Sequence, residues 1–215
     1  MDFETEEQQI EALKRWWKEN GRMVIAGLIL GVAVIAGWRF YVDYKRQHEE
    51  MASAIYENVL LAVSANSELT EQELRVNNLM AEYADTPYAS LAALVLAKQL
   101  IQQNDAIKAQ QQLDWVIKHT KQPELQHIAR LRLARILLAG KQYDQAKALL
   151  NIDYPESFTV LYEELKGDVH LANGDKDNAR LAYDKAIRSS DGQPNQLLRL
   201  KRDDLGVVDM SEPSS

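Results

Sequence analysis

RLARILLAGKQYDQAKALL, residues 132–150, places an alanine at 134, a polar turn at Lys141-Gln142, a second alanine at 146 and a leucine at 150. Two other stretches align with it without gaps: VLAKQLIQQNDAIKAQQQL (95–113) and LKGDVHLANGDKDNARLAY (165–183). Ala97, Ala134 and Gly167 are each followed twelve positions later by Ala109, Ala146 and Ala179, and four further on by Leu113, Leu150 and Tyr183. Asn104-Asp105, Lys141-Gln142 and Gly174-Asp175 fall between them, and the repeats stand 37 and 33 residues apart. Two antiparallel helices pack closely only where their crossing point is free of bulk. The spacing therefore predicts that each small residue faces an alanine on the next helix, with the large residue filling the adjoining gap. Periods of this size belong to stacked helical hairpins.

The surrounding chain agrees. From Asp43 to about Asp191 there are few prolines and glycines and no two-residue alternation. Breaks are predicted near Asn66 to Leu69, at Asp85-Thr86-Pro87, Gln103-Asn104-Asp105, Lys121-Gln122-Pro123, Gly140-Lys141, Tyr154-Pro155, Gly174-Asp175 and Gly192 to Pro194. The expected class is all-α, with an α-solenoid over 43–205. Helices over Glu49–Asn66 and Thr70–Ala84 form an imperfect opening pair. A capping helix over Asn195–Leu205 covers the last apolar face, and 206–215 is expected to be disordered.

Upstream, MVIAGLILGVAVIAGW (23–38) is uncharged in a chain that is 27% charged. Extended through Val42 it reaches twenty residues, about 30 Å as a helix, the depth of a bilayer's hydrocarbon. Arg22 and Arg39 can reach the headgroups from either end. Trp16 and Trp17 lie on one side, and Trp38, Phe40, Tyr41 and Tyr44 on the other, where amphipathic rings gain most. A core helix would be polar on one face. A secretory leader with Val34-Ile35-Ala36 as its cleavage site would not carry Asp2, Glu4, Glu6, Glu7, Glu11 and Glu19 before its apolar run. The reading is a retained span over 23–42. It follows a tail over 1–22 that forms a short surface helix, capped by Thr5 with Gln8 and stopped at Asn20-Gly21, or stays solvated. Gly27, Gly31, Ala33 and Gly37 offer a small-residue face for helix pairing in lipid. Lys14, Arg15, Lys18 and Arg22 against Arg39, Lys45 and Arg46 lean toward a cytoplasmic N-terminus.

Chemistry is scarce. His48, His119, His127 and His170 stand at no metal-ligand spacing, no glycine-rich phosphate loop or G-x-S-x-G occurs, and there is no cysteine. No cofactor and no enzyme activity are expected. From residue 39 onward 21 basic and 26 acidic side chains, a net of −5, argue against a nucleic-acid surface. Arg132 and Arg135, with Arg130 nearby, can share a helix face suited to an acidic peptide or a phosphate. The arrangement expected of them is pairing with carboxylates of neighbouring helices.

The three windows resemble tetratricopeptide repeats, with small residues at the crossing positions and a Gly-Asp-type turn. They depart from that pattern in lacking its tryptophan and in having Asp153 where Ala186 stands in the third repeat. The whole chain resembles the ancillary SecYEG translocon subunit family. The likeness rests on Ala12, Lys14, Arg15, Gly27, Gly31, Gly37-Trp38-Arg39, Leu131-Arg132-Leu133-Ala134-Arg135 and Gly174-Asp175-Lys176. The resemblance implies a non-enzymatic, single-pass protein of the bacterial inner membrane, its N-terminus cytoplasmic and its array periplasmic. It implies partners in the SecYEG translocon and in periplasmic chaperones or a membrane-anchored peptidyl-prolyl isomerase-like chaperone. Its concave positions map onto Leu94, Lys98, Ile101, Leu131, Arg135, Leu138, Glu164, Asp168 and Leu171, several of which must serve the core. A regulator of an envelope stress response acting through the cytoplasmic tail, and a cytosol-facing scaffold, are the alternatives.

Overall fold

Each break anticipated between residues 85 and 175 falls between two helices in this structure, a computed structural model that describes residues 6–190 and 196–206. The helices are α1 (Glu6–Ser64), α2 (Leu69–Glu82), α3 (Pro87–Gln102), α4 (Ala106–His119), α5 (Pro123–Ala139), α6 (Tyr143–Leu150), α7 (Thr159–Ala172), α8 (Lys176–Arg188) and α9 (Gln196–Asp203). A 3₁₀ turn at Glu156–Phe158 precedes α7, and there is no strand among the described residues. Pro87 and Pro123 open α3 and α5, where a missing N–H costs nothing. The anticipated Thr5 cap, the break at Gly192 to Pro194 and nearly all of the tail from 206 onward lie outside the described residues.

The chain divides into a first unit, 1–51, and a second, 52–215. The described residues of the first unit, 6–51, are helix alone. The expected stop at Asn20-Gly21 is not a stop. Gly21 keeps helical geometry, and a Cβ there would lie 3.3 Å from the Trp17 indole, so the glycine makes room for a ring. The Asn20 side chain donates to the Trp16 carbonyl at 3.1 Å. A C-cap glycine works through a left-handed φ, and here the apolar run continues the helix instead. The helix is long and apolar enough to cross a membrane, with a mean hydropathy of 2.1 over its most apolar window and none of that window buried. Past the apolar run, Arg46 lies near Asp43 and Glu50 and Lys45 near Glu49, charge pairs at helical spacing.

The second unit is a stack of helical hairpins, and one turn recurs through it. Asn66, Asn104, Lys141 and Gly174 have φ of 52°, 62°, 59° and 83°. The next N–H in each case reaches back five residues: Ser67 to Ala62 (2.9 Å), Asp105 to Leu100 (2.8 Å), Gln142 to Leu137 (2.8 Å) and Asp175 to His170 (2.9 Å). This left-handed C-terminal closure satisfies carbonyls that the helix end leaves open. Its fourth occurrence, at Asn66, makes the end of α1 and α2 a true first hairpin. One extra residue before α2 hides the match, since Gln72 and Val76, both buried, stand where Ala109 and Leu113 stand later.

Ala97, Ala109, Ala134, Ala146, Gly167 and Ala179 are all buried. The expectation that each small residue faces an alanine needs correcting at the third hairpin. A Cβ on Gly167 would stand 2.3 Å from Cε1 of Tyr183, so the glycine accommodates the ring four residues beyond Ala179. The departure at Asp153 also has a cause: α6 ends at Leu150, so position 153 meets no neighbouring helix as Ala186 does in α8. The main core runs from Ala52 and Val59 to Leu165 and Val169. A second cluster, Ala179, Tyr183, Ala186 and Leu198, joins α8 to α9.

Candidate protein-binding groove

Apolar faces of α3, α4 and α5 are spent on the core, yet their rims leave a hollow. Leu94, Leu96 and Leu100 of α3 are buried, while Ile101, four residues beyond Ala97, is 41% exposed. On α5, Leu133 and Leu137 face inward, while Arg132, Arg135 and Ile136 lie one helix face round. With Ala97, Lys98 and Leu113 they line a hollow of about 520 Å³. A second hollow of about 440 Å³ shares Ile101, Arg135 and Ile136 and reaches Ala106, Gln110 and Ala139.

The anticipated concave positions separate into three groups. Leu94 and Leu131 are core, at 5% and 3% exposure, and Leu138 packs against it. Lys98, Ile101 and Arg135 line the hollow. Glu164 and Asp168 are taken by α9, whose Lys201 Nζ lies 2.8 Å from Glu164 Oε1 and 2.9 Å from Asp168 Oδ1. Leu171 is partly exposed on α7. Gln102 and Ile136 also line the hollow and were missed; for Ile136 a signal was present, an apolar residue one turn after Arg132 on the face opposite Ala134.

The arginine cluster does not do what its surroundings led one to expect. Among the described residues Arg130, Arg132 and Arg135 make no ion pair, although carboxylates outnumber cations. Arg132 donates to the Leu94 carbonyl at 3.3 Å. Other cations do find partners: Arg75 Nη2 is 2.6 Å from Glu71, Lys108 Nζ 2.8 Å from Glu73, and Arg202 Nε 2.9 Å from Asp184.

Between α5 and α7 lies a set of partnered polar groups, with His127 and Glu163 buried among them. His127 Nδ1 and the Tyr162 hydroxyl are 2.9 Å apart, and Tyr154 stacks on Tyr162 at 4.3 Å. Burial pushes the Tyr162 hydroxyl up to about 12. Burial also pushes the Glu163 carboxyl up. Hydrogen bonds donated by Tyr154, Lys166 and Lys185 outweigh it and hold the carboxyl below its ordinary range. Each group is committed to a protein partner, an arrangement for holding helices together. No cluster of three potential metal ligands occurs among the described residues.

Comparison with known proteins matches residues 14–207 to a family described as tetratricopeptide repeat-like domain. The chain is 32% identical over 207 residues to the ancillary SecYEG translocon subunit of Escherichia coli K12, covering 95% of this chain and 98% of that one. It is 30% identical to the protein of the same name from Haemophilus influenzae (93% and 97% covered) and 28% identical to that of Neisseria gonorrhoeae (93% and 97%). No solved structure matches it.

Proposed function

The chain belongs to the ancillary SecYEG translocon subunit family, and from that premise we propose that it is a non-enzymatic, membrane-tethered protein-binding module working beside the translocon. The observation that carries this is one chain holding both an exposed apolar helix of membrane-spanning length and a hairpin stack with an amphipathic hollow. Residues 23–42 anchor the protein in the bacterial inner membrane, the N-terminal tail in the cytoplasm and the array in the periplasm. Gly27, Gly31 and Gly37 present open backbone, and Ala33 a small side chain, to which another span can pack. Beyond the membrane the array receives emerging secretory proteins and passes them to periplasmic chaperones. Tethering raises the local concentration of a modest-affinity groove near the channel exit, so weak binding suffices.

Removing residues 1–42 is expected to abolish co-purification with the translocon while the array stays soluble and helical. Undiminished co-purification of the truncated chain would overturn the tether. Reporter fusions at both ends test the orientation, and a cytoplasmic C-terminal reporter would favour the scaffold alternative.

A further inference from the structure

The last helix shows how this chain holds an amphipathic segment on its own surface. α9 buries Leu198 completely in the cluster of Ala179, Tyr183 and Ala186, and Lys201 bridges Glu164 and Asp168. A leucine anchor and a cation on two carboxylates are central to that hold, with Arg202 on Asp184 beside them.

The hollow between α3, α4 and α5 repeats this design with the charges reversed. Ile101 and Ile136 line its apolar part beside Leu113, and Lys98, Arg132 and Arg135 stand around it. None of these three cations has a carboxylate partner among the described residues. They stand together at one hollow of a chain that carries 32 acidic and 25 basic residues. Three cations at one hollow set up a local positive potential that attracts a group of opposite sign. Arginine's planar fork fits a carboxylate through two hydrogen bonds, and partial burial of the neighbouring apolar surface strengthens such pairs.

We propose that this hollow takes an acidic amphipathic segment of a partner protein, one apolar side chain seated against Ile101 and Ile136 and its carboxylates on Lys98, Arg132 and Arg135. The assignment rests on the protein-binding reading above and gives the chemistry of the partner that reading requires. It also sets a polarity along the array: acidic segments at α3 to α5, and a basic one, already supplied by α9, at α7.

The test uses the full chain in nanodiscs of zwitterionic lipid and a short fluorescein-labelled amphipathic peptide of leucine and glutamate, read by anisotropy. The comparison peptides replace glutamate by glutamine, or leucine by alanine, or carry the basic sequence of residues 196–205. The glutamate peptide is expected to bind about tenfold or more tighter than any of these and to weaken as salt rises. The double variant Lys98→Glu/Arg135→Glu, at exposed positions, is expected to bring it down to the glutamine level with helicity unchanged. Equal binding of the glutamine peptide, or full binding by the double variant, would overturn the proposal. So would preferential capture by phosphatidylglycerol vesicles that the same variant loses, which would make the site a lipid site. Loss of peptide preference with translocon co-purification intact sinks this assignment and leaves the tether standing.

Discussion

Gly167 lies so close beneath the Tyr183 ring that a methyl group on it would meet Cε1 at 2.3 Å and Cδ1 at 2.5 Å. Tyr183 is fully buried, and its hydroxyl donates to Asp168 at 2.8 Å. In the first two repeats the same pair of positions is Ala97 with Leu113 and Ala134 with Leu150. A leucine leaves room for an alanine, and the broader ring requires a glycine.

Gly167→Ala is therefore expected to destabilise the array by about 1–3 kcal/mol through overpacking. Adding Tyr183→Leu should restore most of that loss, because the pair then matches its two counterparts. Urea denaturation of the four chains of this double-mutant cycle measures the coupling. Additive losses would show that the ring and the glycine are independent.

The second turn is the one least suited to its geometry. Lys141 holds φ of 59° where Gly174 stands in the third repeat. Gln142 supplies no side-chain cap, whereas Asp105 and Asp175 accept from the backbone N–H groups of Lys108 and Asn178 at 3.0 and 3.2 Å. Lys141→Gly with Gln142→Asp is expected to stabilise by about 1–2 kcal/mol, relieving a left-handed non-glycine residue and adding an N-cap. A thermal melt followed by circular dichroism checks it, and an unchanged or lower midpoint counts against the turn reading.

Two buried titrating groups give the array distinct acid sensitivities. Burial first, and then the neighbouring Arg130 cation, lowers His127 below its ordinary 6.5, against a smaller opposing pull from Glu124. Below pH 6.5 the unfolded chain then takes up a proton that the folded chain refuses, so stability falls as pH drops toward the folded value. Glu163, held below its ordinary 4.5, contributes stability that is present above that pH and is lost as pH falls through its lower folded value. Urea midpoints between pH 8 and pH 5 should decline in the wild type and less in His127→Gln. Parallel declines would remove His127 as the cause.

Leu198 is the single fully buried residue of α9. Leu198→Ala is expected to cost about 2–5 kcal/mol locally, more than one short helix can spare. Lys201 and Arg202 would then lose their fixed positions over Glu164, Asp168 and Asp184. Hydrogen exchange should accelerate in α9 and the facing side of α8 while amides of α3 to α5 keep their protection. Uniform acceleration across the array would show that α9 belongs to the main core.

Much of the fold was legible because its signals are local. Turn chemistry at 104, 141 and 174, prolines at 87 and 123, and an uncharged run from 23 to 38 each act within a few residues of where they stand. The same locality explains the failures. Asn20-Gly21 looks like a stop to a reader who cannot see Trp17 lying on the glycine. One inserted residue before Leu69 made the anticipated opening pair look imperfect, although its turn matches those of the later hairpins. For the groove, apolar spacing marked Leu94 and Leu131 as readily as Ile101, since periodicity gives a face and cannot say which neighbour covers it.

Residue order alone determined an all-helical repeat array, the spaced small residues that its core buries and one helix of bilayer length, because helix period, turn geometry and hydropathy are properties of neighbours in sequence. Tertiary structure alone decided that Tyr183 claims Gly167, that α9 covers Glu164 and Asp168, and that Lys98, Arg132 and Arg135 keep their charges unpaired. Those outcomes depend on which surfaces meet across separations of 16 to 37 residues, and contact between distant residues is settled by packing in space.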